Sequence, residues 1–153
     1  KSVWGGSCVY LYQSTLDIFG GTITGGKVTG KGGGAIALDD SKCVLNIYGG
    51  EISGNNGNKS GGAIFLNKTD NKGGTVNMYG GTIANNTAQK GGVIYSECGG
   101  TINLAGGTIS GNKPRTATAA SSTWQAVRSP SPAQSSPAIH PASTAARSIS
   151  TMA

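Results

Sequence analysis

Charged residues, histidine and long apolar runs are scarce in this chain of 153 residues. Asp, Glu, Lys and Arg together make up 12% of the sequence, and His140 is the single histidine. That charge content is low for an ordinary helical domain, and the many β-branched residues are not typical of a disordered chain. No apolar run has the length needed to cross a bilayer, so we expect no membrane insertion.

Cysteine is also scarce, which bears on metals and disulfides. Cys8, Cys43 and Cys98 are widely spaced and form no CxxC pair, so the sequence predicts no zinc site. Cys43 and Cys98 fall in similar loops two repeats apart, and two strand spacings of about 4.8 Å would leave them too distant for a disulfide. We expect no metal and no other cofactor.

Arginine and proline are absent from the first 113 residues, which hold all 27 glycines and all six acidic residues. This break predicts a repeat region over 1–113 and a tail rich in Pro, Ser, Thr and Ala over 114–153. The nine lysines of the repeat region are scattered singly, which is typical of a solvated surface and not of a nucleic-acid site. Because Lys1 to Trp4 do not begin a signal peptide, we expect an excerpt from a longer protein.

A glycine-punctuated repeat of about 28 residues runs through the first part of the chain. One unit contains the segments Gly61–Leu66, Thr75–Tyr79 and Gly80–Asn86, and the other units contain similar segments. Alternating apolar and polar residues in each segment predict three short strands with one buried face. The predicted inward columns are Leu16, Leu45, Val76 and Ile102; Ile18, Ile47, Met78 and Leu104; and Ile23, Ile52, Ile83 and Ile109.

Stacked units of this kind predict an all-β fold, a right-handed single-stranded parallel β-helix, or solenoid, of about four coils. A single unit cannot bury its own apolar side, whereas strand-over-strand stacking buries a continuous core. Neighbouring coils of the full-length protein are therefore expected partners. An antiparallel β-sandwich of hairpins is the alternative, because Gly-Gly can also close a hairpin, but it does not explain the fixed period of three-strand units.

Glycine pairs and asparagines are expected at the corners of each coil. Gly-Gly supplies positive φ and close approach of the backbone without steric cost. Asparagine tolerates the left-handed conformation for a similar reason. We expect that conformation at Asn55, Asn85, Asn86 and Asn112.

The GGAI motifs at Gly33–Ile36 and Gly61–Ile64, with GGTISGN at Gly106–Asn112, resemble the pectin-lyase-like β-helix repeats of bacterial surface proteins. That group includes adhesins and the chlamydial polymorphic outer-membrane proteins. Their FxxN motif is not matched, because Phe65-Leu66-Asn67 places Asn two positions after Phe. The resemblance covers about residues 5–113 and implies an extracellular or cell-surface location with a structural or adhesive role. It is weak for activity, because this fold hosts lyases and adhesins alike.

The acidic residues do not suggest an active site. β-Helix lyases and hydrolases need clustered carboxylates with Ca²⁺ and a basic residue, or a pair of acids. Only Asp39 and Asp40 are adjacent, and no neighbouring coil supplies a stacked partner acid, so we expect no enzyme activity. Two alternatives stay open: a non-catalytic portion of a carbohydrate-active β-helix enzyme, and an ice-binding protein. The ice-binding alternative rests on a threonine-rich third strand that Glu51 and Ala84 interrupt.

Outward-facing aromatic residues form the candidate binding surface, with a carbohydrate or a host-surface protein as the expected partner. An aromatic ladder can face sugar rings, although aromatic residues also suit exposed strands and pair with their neighbours. The candidate binding residues are Phe19, Tyr48 and Tyr79 in the second strand, and Tyr10, Phe65 and Tyr95 in the first strand.

The tail over 114–153 has two interpretations. It is expected to be disordered as written, because it lacks the glycines that corners need and its prolines cannot donate to a strand ladder. It also reads as a frameshifted translation of further repeats. When each codon is rebuilt from the last base of one tail codon and the first two bases of the next, Ala119–Trp124 becomes GGVVYV and Ala133–Ile139 becomes GAVISGN. The rebuilt units keep the upstream period, and Trp124, His140 and the arginines are then expected to carry no function.

Overall fold

The computed structural model describes residues 6–67 and 72–115, and within them every strand pairs in parallel with the strand of the next coil. The tail from residue 116 onward and Asp70 lie outside the described residues. The strands are Val9–Leu11 (β1), Thr15–Ile18 (β2) and Thr22–Thr24 (β3) in coil 1; Ile36–Leu38 (β4), Val44–Ile47 (β5) and Glu51–Ser53 (β6) in coil 2; Ile64–Leu66 (β7), Thr75–Met78 (β8), Thr82–Ala84 (β9) and Thr87–Ala88 (β10) in coil 3; and Ile94–Ser96 (β11), Thr101–Leu104 (β12), Thr108–Ser110 (β13) and Lys113–Pro114 (β14) in coil 4.

Three four-stranded parallel sheets form the walls of the coil. The first sheet has the order β1-β4-β7-β11, the second has β2-β5-β8-β12, and the third has β3-β6-β9-β13. Each coil contributes one strand to each sheet, which is the arrangement of a parallel β-solenoid with about four turns. This confirms the predicted fold class and excludes the hairpin sandwich, in which neighbouring strands would run antiparallel.

The register places every predicted inward column in line. Leu16 pairs with Leu45, Leu45 with Val76, and Val76 with Ile102, and the other two columns are aligned in the same way. Leu45, Val76 and Ile83 have no exposed surface, because a coil lies on each side of them. The end coils bury the same columns only partly, as Leu16 and Ile102 show. Burial is therefore set by stacking. Each Å² of apolar surface that stacking removes from water stabilises the fold by about 25 cal/mol.

The glycine pairs serve two different corners for two different reasons. After the second strand, Gly50 has a φ of 83°, which L-residues with a side chain rarely adopt. Before the first strand, Gly34 has no such φ, but a Cβ at this position would lie 2.1 Å from the Gly62 carbonyl oxygen. One corner needs the conformation of glycine, and the other needs its small size.

The asparagines after the third strand do not all have the left-handed backbone conformation that was expected. Only Asn85 has a positive φ, at 55°, whereas Asn55, Asn86 and Asn112 do not. These three form a buried ladder between coils, with Asn55 1% and Asn86 0% exposed. The Oδ1 atom of Asn86 accepts from the backbone N–H of Asn55 at 3.0 Å and from its Nδ2 at 2.9 Å. Asn112 accepts from Asn86 in the same way, with both distances 2.9 Å.

A short fourth pairing follows the buried ladder in each coil. Lys27 bridges to Asn56, Asn56 bridges to Thr87, and β10 pairs with β14, with Ala88 opposite Pro114. The three-strand unit of the sequence therefore gains a fourth, shorter contact between coils, and the coil pairing reaches Pro114.

Candidate functional site

Three aromatic rings stack along the outer edge of the second sheet. Phe19, Tyr48 and Tyr79 each come one residue after the second strand of coils 1, 2 and 3. The Phe19 and Tyr48 ring centroids are 5.0 Å apart with an interplanar angle of 7°, and those of Tyr48 and Tyr79 are 5.1 Å apart at 13°. The three side chains are 76%, 46% and 51% exposed, so solvent reaches this aromatic stack.

A ladder of polar side chains runs beside the aromatic stack on the same outer face. Asn103 donates from Nδ2 to Oδ1 of Asn77 at 2.8 Å, and Asn77 donates to Asn46 at 2.7 Å. Asn46 then donates to the carboxylate of Asp17 at 2.7 Å. The members of this surface ladder and of the aromatic stack lie two residues apart in each of coils 1 to 3, so both point to the same side of the strand. Each of the first three coils therefore presents one polar group and one ring.

The stack geometry decides which parts of the rings can meet a ligand. Tyr48 has Phe19 on one side and Tyr79 on the other, so both of its faces are covered. It presents its edge and its hydroxyl to solvent. In coil 4, Ala105 occupies the position beside Tyr79. Its backbone N–H continues the pairing of the two strands by donating to the Met78 carbonyl at 2.8 Å. The stack therefore offers hydrogen-bonding edges along its length and no continuous platform of ring faces.

The first-sheet aromatics do not form a matching surface. The register places Ala37 between Tyr10 and Phe65, so Tyr10 is separated from the rings of coils 3 and 4. Phe65 stacks on Tyr95 at 6.1 Å, but it is only 2% exposed, which differs from the expected outward, accessible position. Lys90 lies 5.5 Å from the Tyr95 ring centroid. Tyr10 is the most exposed member of this set, at 51%, and Tyr95 is half-buried.

An ion pair joins two distant parts of the chain beside the first sheet. Lys31 precedes coil 2, yet its Nζ lies 2.9 Å from Oε1 of Glu97 in coil 4. The hydrogen bond to Glu97, followed by the attraction of its charge, raises the pKa of Lys31, and Tyr95 adds to the shift. The segment before coil 2 thus lies near the outer side of the first sheet, and sequence periodicity gives no sign of this contact.

A polar cluster occupies the corner after the first strand. The Tyr10 hydroxyl donates to one oxygen of Asp39, and the Asn67 amide donates to the other. The hydrogen bond to Asp39, with burial and the Asp39 charge as smaller causes, raises the pKa of Tyr10 to about 12. Tyr10 therefore keeps its proton at neutral pH and acts as a donor, not as a base.

The other acids near this corner are also held in structural contacts. Asp40 is 6% exposed and accepts from Nε2 of Gln13 at 3.1 Å and from the Lys42 backbone N–H at 2.8 Å. The strand pairing puts Asp39, Asn67 and Glu97 in one column, because each follows the last residue of the first strand. Asn67 separates the two acids by one coil, so the column does not bring two carboxylates into adjacent coils. The sequence signal for this cluster was the polar residue that follows the first strand in coils 2, 3 and 4.

The potential metal ligands of residues 6–67 and 72–115 do not cluster. These residues contain no group of three or more His, Cys, Asp and Glu side chains that could hold a metal ion. The three cysteines are free, and the buried Cys43 thiol lies 3.4 Å from the Leu11 carbonyl. In the same part of the chain, no helix has the length and apolar character needed to span a membrane.

The outer positions of the third sheet form an interrupted threonine column. Thr22 pairs with Glu51, and Glu51 pairs with Thr82, so a carboxylate stands between the two threonines. Ala84 takes the next outward position of coil 3 and is 6% exposed. This surface lacks the uninterrupted array of hydroxyls on which the ice-binding alternative depends.

No protein-family model, no curated protein and no solved structure matches this chain.

Proposed function

We propose that this chain is a structural and adhesive β-helix segment of a bacterial cell-surface or secreted protein, and that its second sheet binds glycans or host proteins. The observation that carries the proposal is the pairing of the aromatic stack with the surface ladder on one exposed face. Each of coils 1 to 3 repeats one ring and one hydrogen-bonding group at the strand spacing, about 4.8 Å. A ligand with its own regular repeat suits such a surface better than a single small molecule does.

The chemistry of this face favours glycans over proteins. Asn77 uses one N–H and one oxygen lone pair within the surface ladder, so its second N–H and second lone pair remain for a ligand or for water. Tyr48 and Tyr79 add hydroxyls that both donate and accept. Sugar hydroxyls need such mixed donors and acceptors, while the ring edges supply apolar contact.

A glycan array probed with the purified 153-residue chain tests this proposal. The double substitution Tyr48→Phe and Tyr79→Phe keeps the ring stack and removes both hydroxyls. We expect about a thirty-fold loss of glycan binding, because two lost hydrogen bonds of about 1 kcal/mol each cost about 2 kcal/mol together. Glu51→Gln on the third sheet is the matched control and should bind as the parent chain does. Circular dichroism checks that all variants stay folded.

Other outcomes separate the alternatives. Binding to host extracellular proteins with the same sensitivity to the tyrosine hydroxyls would replace the glycan by a protein ligand. Release of unsaturated or reducing oligosaccharides from a polyuronate would favour the carbohydrate-active enzyme. Ice-crystal shaping would favour the ice-binding role. No binding to any glycan or host protein would leave the chain a spacer and contradict the adhesive part of the proposal.

A further inference from the structure

The outer side of coil 4 is an incomplete core. Ile102, Leu104 and Ile109 are only partly buried. The residues that pair with them in coil 3 are Val76, Met78 and Ile83, which are 0%, 1% and 0% exposed. Strands β12 and β13 also end their sheets, so one edge of each lacks a neighbouring strand among the described residues. Such a face needs a further coil to exclude water from its apolar side chains.

The buried ladder also indicates that a further coil follows coil 4. In coils 2 and 3, the backbone N–H of the ladder asparagine donates to Oδ1 of the asparagine in the next coil, as Asn55 does to Asn86 and Asn86 does to Asn112. Asn112 holds the equivalent position in coil 4. Continuing the series requires an asparagine one coil further along the chain.

The coding possibilities of the tail supply a candidate for that coil. Codons are rebuilt from the last base of one tail codon and the first two bases of the next, so that any alanine codon can give glycine. Ala119 and Ala120 then align with Gly91 and Gly92 at the start of coil 4. Ala133 and Ala138 align in turn with Gly106 and Gly111. These alanines set the alignment without reference to the core.

The inward positions of coil 4 give an independent check on that alignment. Ile94, Ile102, Leu104 and Ile109 point into the core, and the alignment places a serine at all four corresponding tail positions: Ser122, Ser129, Ser131 and Ser136. Serine accounts for only 9 of the 40 residues over 114–153. A TCN serine codon becomes NTC in the other frame, which encodes Phe, Leu, Ile or Val whatever the first base is. Every inward position is therefore apolar wherever the serine has a TCN codon, which is the codon family that four of the six serine codons belong to.

The position of the buried ladder also agrees with the alignment of the tail. Asn112 aligns with Ile139, and any isoleucine codon becomes NAT, which encodes Asn, Asp, His or Tyr. Thr123 aligns with Tyr95 and becomes NAC, which encodes the same four residues. The alignment thus permits the buried asparagine and the first-sheet aromatic at the positions that the coil geometry requires.

We propose that the natural chain continues beyond Lys113 in this second frame, and that the encoded residues form a fifth coil that covers Ile102, Leu104 and Ile109. The sequence written over 114–153 then reflects the loss of one nucleotide near the codons for Lys113 and Pro114. Ala145 and Ala146 begin a further glycine pair in the same frame, so a sixth coil follows. This inference does not depend on the proposed function.

The first test is the source DNA. We expect one additional nucleotide between the codons for Asn112 and Ala119, with TCN codons at Ser122, Ser129, Ser131 and Ser136. An unchanged frame, or AGC and AGT codons at these serines, would overturn the proposal, because AGC and AGT become NAG, which encodes Lys, Glu, Gln or a stop.

The second test measures the core of coil 4 in the expressed protein. A coding sequence with one nucleotide inserted after the Lys113 codon should give amide hydrogen exchange across β12 and β13 at least about ten-fold slower than in the 153-residue chain, because a covered strand opens less often. Insertion of two nucleotides is the matched control, since it alters the same region without producing the apolar column. Equal exchange in the one-nucleotide and two-nucleotide chains, with the core of coils 2 and 3 folded in both, would contradict the fifth coil.

Discussion

Asparagine side chains stack once per coil in two regions of this molecule, and the two stacks differ in what surrounds them. The buried ladder of Asn55, Asn86 and Asn112 lies at the corner after the third strand. The surface ladder of Asp17, Asn46, Asn77 and Asn103 lies on the outer face of the second sheet. Both join neighbouring coils through amide hydrogen bonds of similar length.

The difference between the ladders is the number of backbone groups that depend on them. Asn86 accepts from the Asn55 backbone and side chain, and its own Nδ2 donates to the Ile52 carbonyl and to Asn112, both at 2.9 Å. No described buried side-chain nitrogen or oxygen lacks a partner. Within the described part of the chain, the Asn77 side chain bonds to its two ladder neighbours, and it is partly exposed to water. The same residue type therefore supplies hydrogen bonds to buried backbone groups in one place, and bonds to neighbouring side chains at the surface in the other.

Of the substitutions that test this comparison, Asn86→Ala should lower the stability of the fold most. It leaves the Asn55 N–H and the Ile52 carbonyl without the partner that the Asn86 side chain provides, whereas Oδ1 of Asn112 keeps the Asn86 backbone N–H as a donor. At about 1–3 kcal/mol for each buried group left unpaired, we expect the free energy of unfolding to fall by about 3–5 kcal/mol. Denaturant unfolding followed by circular dichroism measures the loss. A loss below about 1 kcal/mol would mean that water reaches this corner and that the two ladders are equivalent.

Asn112→Ala should have an intermediate effect, because it removes a ladder member from the partly exposed end coil. The side chain bonds to the Ile83 carbonyl at 2.8 Å and to the Ser110 carbonyl at 3.0 Å, but solvent can replace part of what is lost. We expect a fall of about 1–2 kcal/mol in the free energy of unfolding by the same measurement. A loss as large as that of Asn86→Ala would show that position in the ladder, and not burial, sets the energy.

Asn77→Ala should have a small effect on stability. Water can satisfy the Asn46 and Asn103 groups that it exposes, so we expect a loss of no more than about 1 kcal/mol. A double-mutant cycle with Asn46→Ala measures the coupling between neighbouring amides, which we expect to be a few tenths of a kcal/mol at an exposed site. Coupling above about 1.5 kcal/mol would show that the surface ladder is a structural element like the buried one.

Tyr10→Phe should change the free energy of unfolding least, and the change should depend on pH. The hydrogen bond to Asp39 raises the pKa of Tyr10 from 10.0 to about 12, so the folded state holds the phenol proton more tightly than the unfolded state does. The stabilisation is fully present below pH 10 and is lost as pH rises through about 12. The stability difference between the parent chain and Tyr10→Phe should therefore narrow over that range. A difference that stays constant would show that the hydroxyl is not held by the carboxylate.

The period and alternation of the sequence were enough to predict the strands, their inward columns and the parallel stacking. Ile52 and Ile83, for example, occupy equivalent places in the repeat, and the register brings them together. The alignment of Phe19, Tyr48 and Tyr79 followed from the same period. These features depend only on which residues recur at each turn, and that information is local to the repeat.

Features that depend on how distant parts of the chain come together could not be predicted. The repeat gave Phe65 and Tyr48 similar outward places, yet Phe65 is 2% exposed and Tyr48 is 46% exposed. The contact of Lys31 with Glu97 joins residues two coils apart, and no repeat pattern specifies it. Asn55 and Asn85 also carried the same expectation of a left-handed backbone, but only Asn85 adopts it.

The sequence by itself determined the coil, because hydrophobic side chains that recur at one period can be buried only by stacking one unit on the next. The tertiary structure alone decided what each corner and each face does with its polar residues. An asparagine amide can adopt a turn, bond to a neighbouring coil or face water, and its local sequence allows all three. The choice depends on whether unpaired backbone groups lie within reach and on whether another segment excludes water, and both are set only when the coils come together.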